Sequence, residues 1–226
     1  MKKIIMLFAL VTFIACKNKE ATPEVTKSDD TKEVEAVAEN TVDYESFGMQ
    51  NEDAPKGLVK GTKAPDVDFV IDGKRVALVD LYKDQNVAII FYRGFWCPVC
   101  SKHLAEFATR AKELEAKGVK LIAVTPEGEE GVEKTKDKSK ATFAIVSDTD
   151  GSIQEAFDVD YKVTDAYAEK VKEALKISIP ENNGSETAQL PVPATYVIDK
   201  TGTIIYAHFD PNYKKRASID DILAAL

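Results

Sequence analysis

The chain has 226 residues, three cysteines, two histidines and a formal net charge of −8 at neutral pH. That length suits one domain-sized core. No stretch concentrates basic residues, which argues against a nucleic-acid partner. The acidity is uneven, because residues 17–57 hold five lysines against eleven Asp or Glu.

Residues 1–16 read as an export signal. Lys2 and Lys3 precede an apolar stretch from Ile4 to Ile14, broken only by Thr12. Such a stretch is too short for a mature membrane span and fits a signal sequence. It ends at Phe13-Ile14-Ala15-Cys16 and turns polar at Lys17. This resembles a bacterial lipobox, which implies a lipid on Cys16 and a domain held to a membrane outside the cytoplasm. Residues 17–57 carry few large apolar side chains, so burial there cannot offset ordering entropy. They are expected to form a flexible acidic tether. Its aromatic segment, Tyr44 to Met49, is the part suited to dock on the domain.

The domain is expected over 58–226, with no internal repeats. Asp66–Ile71 and Arg75–Val79, around Asp72-Gly73, predict a hairpin. Val87–Tyr92 is a continuous apolar run, the pattern of a strand covered on both faces. Leu104, Phe107, Ala108, Ala111 and Leu114 recur at helical spacing between Pro98 and Lys117, and Gly118 marks the end. Val119–Val124 is a second buried strand, so the three elements form a β-α-β unit with parallel strands. A short helix follows between Gly128 and Lys140. A strand at Phe143–Val146 and helices at Ile153–Phe157 and Thr164–Lys176 come next. Residues 180–190 read as a loop. Ala194–Asp199 and Thr203–Phe209 form a hairpin around Lys200-Thr201-Gly202, and a helix capped by Ser218 closes the chain.

The strand Val87–Tyr92 leads directly into Arg93-Gly94-Phe95-Trp96-Cys97-Pro98-Val99-Cys100. Two cysteines are thereby delivered to a helix N-terminus. Unpaired N–H groups and the positive end of the helix dipole favour a thiolate there, and Pro98 suits the first helical position. Thiolates attack peroxides and disulfides; thiols do not. Arg93 offers a positive charge to the pair or, alternatively, a surface ion pair at the strand end. Trp96 is placed to cover the sulfurs. A Cys-Cys-His copper site with His103, or a redox-sensing binding module, is the non-enzymatic alternative. Zinc would need four ligands, and haem attachment would need His at position 101, which is Ser. His103 is expected to face solvent and His208 to be structural.

A β-α-β half carrying Trp-Cys-x-x-Cys, followed by a hairpin half after proline, resembles the thioredoxin fold: an α/β domain with a central mixed sheet flanked by helices, here with an N-terminal hairpin extension. Gly61-Thr62-Lys63-Ala64-Pro65-Asp66-Val67, the segment around Cys97, Leu190–Asp199 with Gly202, and Asp210-Pro211-Asn212-Tyr213 with Arg216 resemble the peroxiredoxin-like branch of the AhpC/TSA superfamily. The resemblance implies a thiol-dependent peroxidase cycling through Cys97 and Cys100. It implies a hydroperoxide substrate, a thioredoxin-like dithiol as reductant and no cofactor. A thioredoxin-like disulfide reductase is the alternative. The peroxiredoxin alignment puts the attacking cysteine on Cys100, the family's Thr on Cys97, its Pro on Arg93 and its second-half Arg on Pro193. The thioredoxin alignment makes Cys97 the nucleophile and Pro193 a cis-proline, with Thr195 just beyond and the backbone of Val192 offered as a docking edge. Which cysteine attacks first is open at this level. Tyr213 and Arg216 match the subgroup without a physical role.

Overall fold

The computed structural model describes residues 42–50 and 54–226. The expected export signal, Cys16 and most of the expected tether lie outside the described residues. Among the described residues no helix is long and apolar enough to cross a membrane.

Among the described residues a 3-10 turn (Glu45–Phe47) is followed by nine strands and seven α-helices in order: β1 (Asp68–Ile71), β2 (Lys74–Ala77), α1 (Leu78–Tyr82), β3 (Asn86–Phe91), α2 (Pro98–Ala116), β4 (Val119–Thr125), α3 (Glu129–Ser139), β5 (Ala144–Ser147), α4 (Ser152–Ala156), β6 (Asp160–Lys162), α5 (Asp165–Leu175), α6 (Ile179–Asn183), β7 (Gln189–Pro191), β8 (Ala194–Ile198), β9 (Ile204–Phe209) and α7 (Ile219–Ala225). The central sheet runs β5-β4-β3-β8-β9. β3 pairs parallel with β4, and β4 with β5. β8 joins β3 antiparallel and pairs antiparallel with β9. This is the expected mixed sheet, built from a β-α-β half and a hairpin half.

β3 is central and buried on both faces. Ala88, Ile90 and Tyr92 enter one core with Leu104 and Phe107 of α2, Val171 of α5 and Ile219 of α7. Val87, Ile89 and Phe91 enter the other, with Leu78 and Leu81 of α1 and Ile153 of α4. The two-residue alternation of a strand thus splits one apolar run between two layers. The end of β3 is fixed from both sides, and the Cys-x-x-Cys turn starts from an immobile base.

Three short elements differ from the sequence expectation. The strand after Gly73 stops at Ala77, and Leu78–Tyr82 turns into α1 instead of extending it. Residues 180–190 are not all loop. Ile179 and Pro180 open α6, Gly184 closes it at φ +64°, and β7 then pairs antiparallel with β6. A three-residue pair between distant segments leaves no periodicity to read.

Candidate active site

Tyr92 leaves the sheet with its N–H still bonded to Val124 O at 3.1 Å. The chain then turns through Gly94, whose φ is +151°. A Cβ on Gly94 would lie 2.5 Å from Glu127 Oε1 and from Trp96 Nε1, so only glycine fits this close approach. Cys97 is the N-cap of α2, Pro98 follows it, and the Cys97 Sγ accepts from Cys100 N–H at 3.4 Å. The sulfur therefore takes the role that a Ser or Asp oxygen takes at other helix starts.

The turn is held from outside by Phe95. Its N–H donates to Glu127 Oε2 at 2.8 Å, and its carbonyl accepts from Ser101 Oγ at 3.2 Å and Lys138 Nζ at 3.1 Å. Lys134 and Lys138 also sit over its ring, 4.7 and 4.9 Å from the centroid. Glu127, at the end of β4, is fully buried and also accepts from Asn182 Nδ2 at 2.5 Å. Burial pushes its carboxyl up to about 7.

Each sulfur has its own guanidinium. Arg93 Nη2 donates to Cys97 Sγ at 3.2 Å, and Arg216 Nη2 donates to Cys100 Sγ at 3.2 Å. Arg93 is only 3% exposed. It is caged by Tyr213, whose ring centroid lies 3.8 Å from the guanidinium carbon, by Trp96 at 5.4 Å, and by the Tyr167 hydroxyl, which accepts from Nη1 at 2.7 Å. Arg216 is oriented through Nε, which donates to Tyr213 O at 2.7 Å. Of the two sequence readings for Arg93, the geometry has the charge on the thiol pair and not a surface ion pair.

Both cysteines are free and fully buried. Hydrogen bonding to Cys100 and burial push the Cys97 thiol up. Burial also opposes an anion at Cys100, but the Cys97 thiol and the Arg216 and Arg93 guanidiniums outweigh it and hold Cys100 well below the ordinary thiol range.

Arg93, Trp96, Cys97 and Cys100 are thus brought together. Pro193 is buried just ahead of β8, and Thr195 is buried on β8, in register with Ile90 and His208. Val192 does not offer an open docking edge, because its N–H is bonded to Val159 O at 2.7 Å. His103 does not face solvent. It is 6% exposed, its Nε2 is paired with Ala217 O at 2.9 Å, and its ring meets Phe107 edge-on. Burial lowers it to about 4, so it is neutral at physiological pH. Among the described residues no three His, Cys, Asp or Glu side chains gather as a metal-holding group.

Sequence reasoning left Arg216 and Tyr213 without a role and passed over Glu127 and Tyr167. Glu127 stands in Pro126-Glu127-Gly128-Glu129-Glu130, which reads as a solvated acidic run.

Residues 60–207, well over half of the chain, match the AhpC/TSA family. The chain belongs to that family. A candidate peroxiredoxin of Mycobacterium tuberculosis is 26% identical over 154 residues, which cover 68% of this chain and 86% of that protein. Peroxiredoxin Bcp of Bacillus subtilis is 27% identical over 146 residues, covering 64% and 81%. Among solved structures, reduced Prx3 of Vibrio vulnificus in complex with hydrogen peroxide superposes with a TM-score of 0.58 at 18% identity, over 75% of this chain and 99% of that one. The AhpC/TSA domain here has the thioredoxin-like fold of these structures. Where the family resemblance expects an arginine at position 193 this member has proline, and Arg93 and Arg216 stand on the sulfurs instead.

Proposed function

We propose that the protein is a thiol-dependent peroxidase in which Cys100 attacks the hydroperoxide and Cys97 resolves it. Membership of the AhpC/TSA family, with peroxiredoxins among its relatives, supports peroxidase chemistry in general. The geometry behind the finer reading is the pairing of each buried sulfur with its own guanidinium, and the order of attack follows the direction of ionisation, Cys100 held low and Cys97 pushed up.

The Cys100 thiolate attacks the terminal peroxide oxygen and the O–O bond breaks. Cys100 becomes a sulfenic acid and the departing alkoxide takes the proton of the Cys97 thiol, giving an alcohol. Cys97 is left as a thiolate one helical turn away. It attacks the Cys100 sulfur, and hydroxide leaves, protonated by solvent to water. A dithiol protein of the thioredoxin kind then reduces the Cys97–Cys100 disulfide by exchange. Arg93 Nε and Arg216 Nη1 are buried donors without a protein partner and are available to peroxide oxygens.

Trp96 is 6% exposed and lines a cavity of about 300 Å³ with Arg93, Pro98, Tyr167, Val171 and Tyr213, beside the buried sulfurs, and this is the side assigned here to peroxide entry. The indole N–H has no partner, so moving the ring breaks no hydrogen bond. The occupied N–H of Val192 speaks against docking of an extended disulfide substrate. We also propose that lipid on Cys16 holds the domain at a bacterial membrane outside the cytoplasm.

Cys97→Ser and Cys100→Ser test the assignment. With hydrogen peroxide and a sulfenic-acid trap, the Cys97→Ser protein is expected to trap one equivalent at Cys100, and the Cys100→Ser protein is expected to react no faster than free cysteine. The opposite pattern overturns the order of attack. Wild type as slow as free cysteine overturns the peroxidase.

A further inference from the structure

The residues ahead of the family-matched stretch reach into the site. Glu45–Phe47 form a single 3-10 turn, closed by Gly48 at φ +83°. Gly48 O accepts the N–H of Thr164, the cap of α5, at 2.9 Å. Its Cα lies so close to Tyr167 that an added Cβ would collide with the ring carbon Cγ. Phe47 meets the Tyr213 ring edge-on at 6.4 Å, and its carbonyl accepts from the Tyr161 hydroxyl at 3.4 Å. Met49 is 1% exposed, and Ser46 lines the same cavity as Arg93 and Trp96.

Tyr167 and Tyr213 are the two rings that hold Arg93. One accepts its Nη1–H and the other covers its face. Both are backed by the turn. We propose that the turn Glu45–Gly48 is a positioning element of the active site, which fixes Tyr167 and Tyr213 and through them keeps Arg93 on Cys97. Without it, both rings lose a wall, and a guanidinium with an unpartnered Nε has a route toward water. The anion of the thiol pair then loses part of its counter-charge. The family match begins at residue 60, so this piece lies ahead of the matched stretch.

The proposal rests on the peroxidase reading only for the rate with peroxide; the ionisation of the pair is independent of it. The full chain carrying Phe47→Ala, and separately Gly48→Ala, is reduced and titrated by thiolate absorbance at 240 nm. The other groups facing the pair are Arg216, Tyr92, Tyr161, Tyr167, His103 and, behind the turn, Glu127, and all are unchanged in both variants. The ionisation constant of the more acidic thiol is expected to fall about two- to fivefold, as for a weakened cation–π contact, and the rate with hydrogen peroxide, measured at a pH below that thiol's midpoint, to fall with it. Phe47→Tyr, which keeps the ring edge, is expected to restore both. A folded Phe47→Ala protein with wild-type ionisation overturns the proposal, whatever its thermal stability. Phe47 is only half-buried, so this variant decides the matter even if Gly48→Ala does not fold. If the wild type proves inert to peroxide while the ionisation shifts as expected, the positioning role stands and the peroxidase falls.

Discussion

Arg216 and Arg93 do different work on the thiol pair. Arg216 touches Cys100, whose ionisation is favoured, while Arg93 touches Cys97, whose thiol is pushed up. A charge-assisted hydrogen bond to a buried anion contributes more than one to a neutral thiol. Arg216→Ala is therefore expected to slow reaction of Cys100 with peroxide, or with an alkylating reagent, by roughly ten- to a hundredfold. Arg216→Lys should fall between the two, since an ammonium keeps the charge but not the Nε bond that orients the fork on Tyr213 O. Competition kinetics on the three proteins check the order. The cysteines were legible in the sequence because they sit in the turn that activates them. Arg216 was not, because it comes back to Cys100 from 116 residues further along the chain, and local patterning carries no information about that contact. Its neighbourhood could be matched to a family but not reasoned out.

The element that matters most is the turn between β3 and α2. Its hold on the sheet passes through Phe95 N–H to Glu127, a fully buried carboxyl. A folded value raised to about 7, from an unfolded value near 4.3, means that the native protein binds more protons between those two pH values. Stability from this group is therefore lost as pH rises through that window, on the order of 3 kcal/mol by pH 8. Glu127→Gln removes the titration. The difference in unfolding free energy between the variant and wild type is expected to grow in the variant's favour from pH 5 to pH 8, whatever constant offset the amide brings. Denaturant melts at the two pH values measure it. His103 contributes with the opposite sign, since a neutral buried imidazole lowered to about 4 favours the native state as pH rises, and it cancels in the comparison. At this scale the strands of the central sheet and the long helices were readable, because each is long enough to show its period. The short pieces were not. α1 follows β2 with no turn residue between them, and β7 ends on Pro191, a residue that argues against a strand until its place outside the central sheet is known.

Across the whole molecule, two cores share one sheet and the thiol pair lies in the layer that contains α2, α5 and α7. Residues from the first turn at Glu45 to Arg216 converge there, so the site draws on nearly the full length of the described chain. The chain contains a single tryptophan, and it packs against Arg93, the guanidinium on Cys97. Its emission therefore reports on one place only, without contribution from elsewhere. Closing the Cys97–Cys100 bond exchanges a charged sulfur for a neutral bridge beside the indole, so intensity is expected to change in a single step with oxidation and to return on adding dithiothreitol. Stopped-flow fluorescence then follows turnover in the unlabelled protein. A signal blind to the oxidation state of the pair would mean that the indole does not pack against Arg93 in solution.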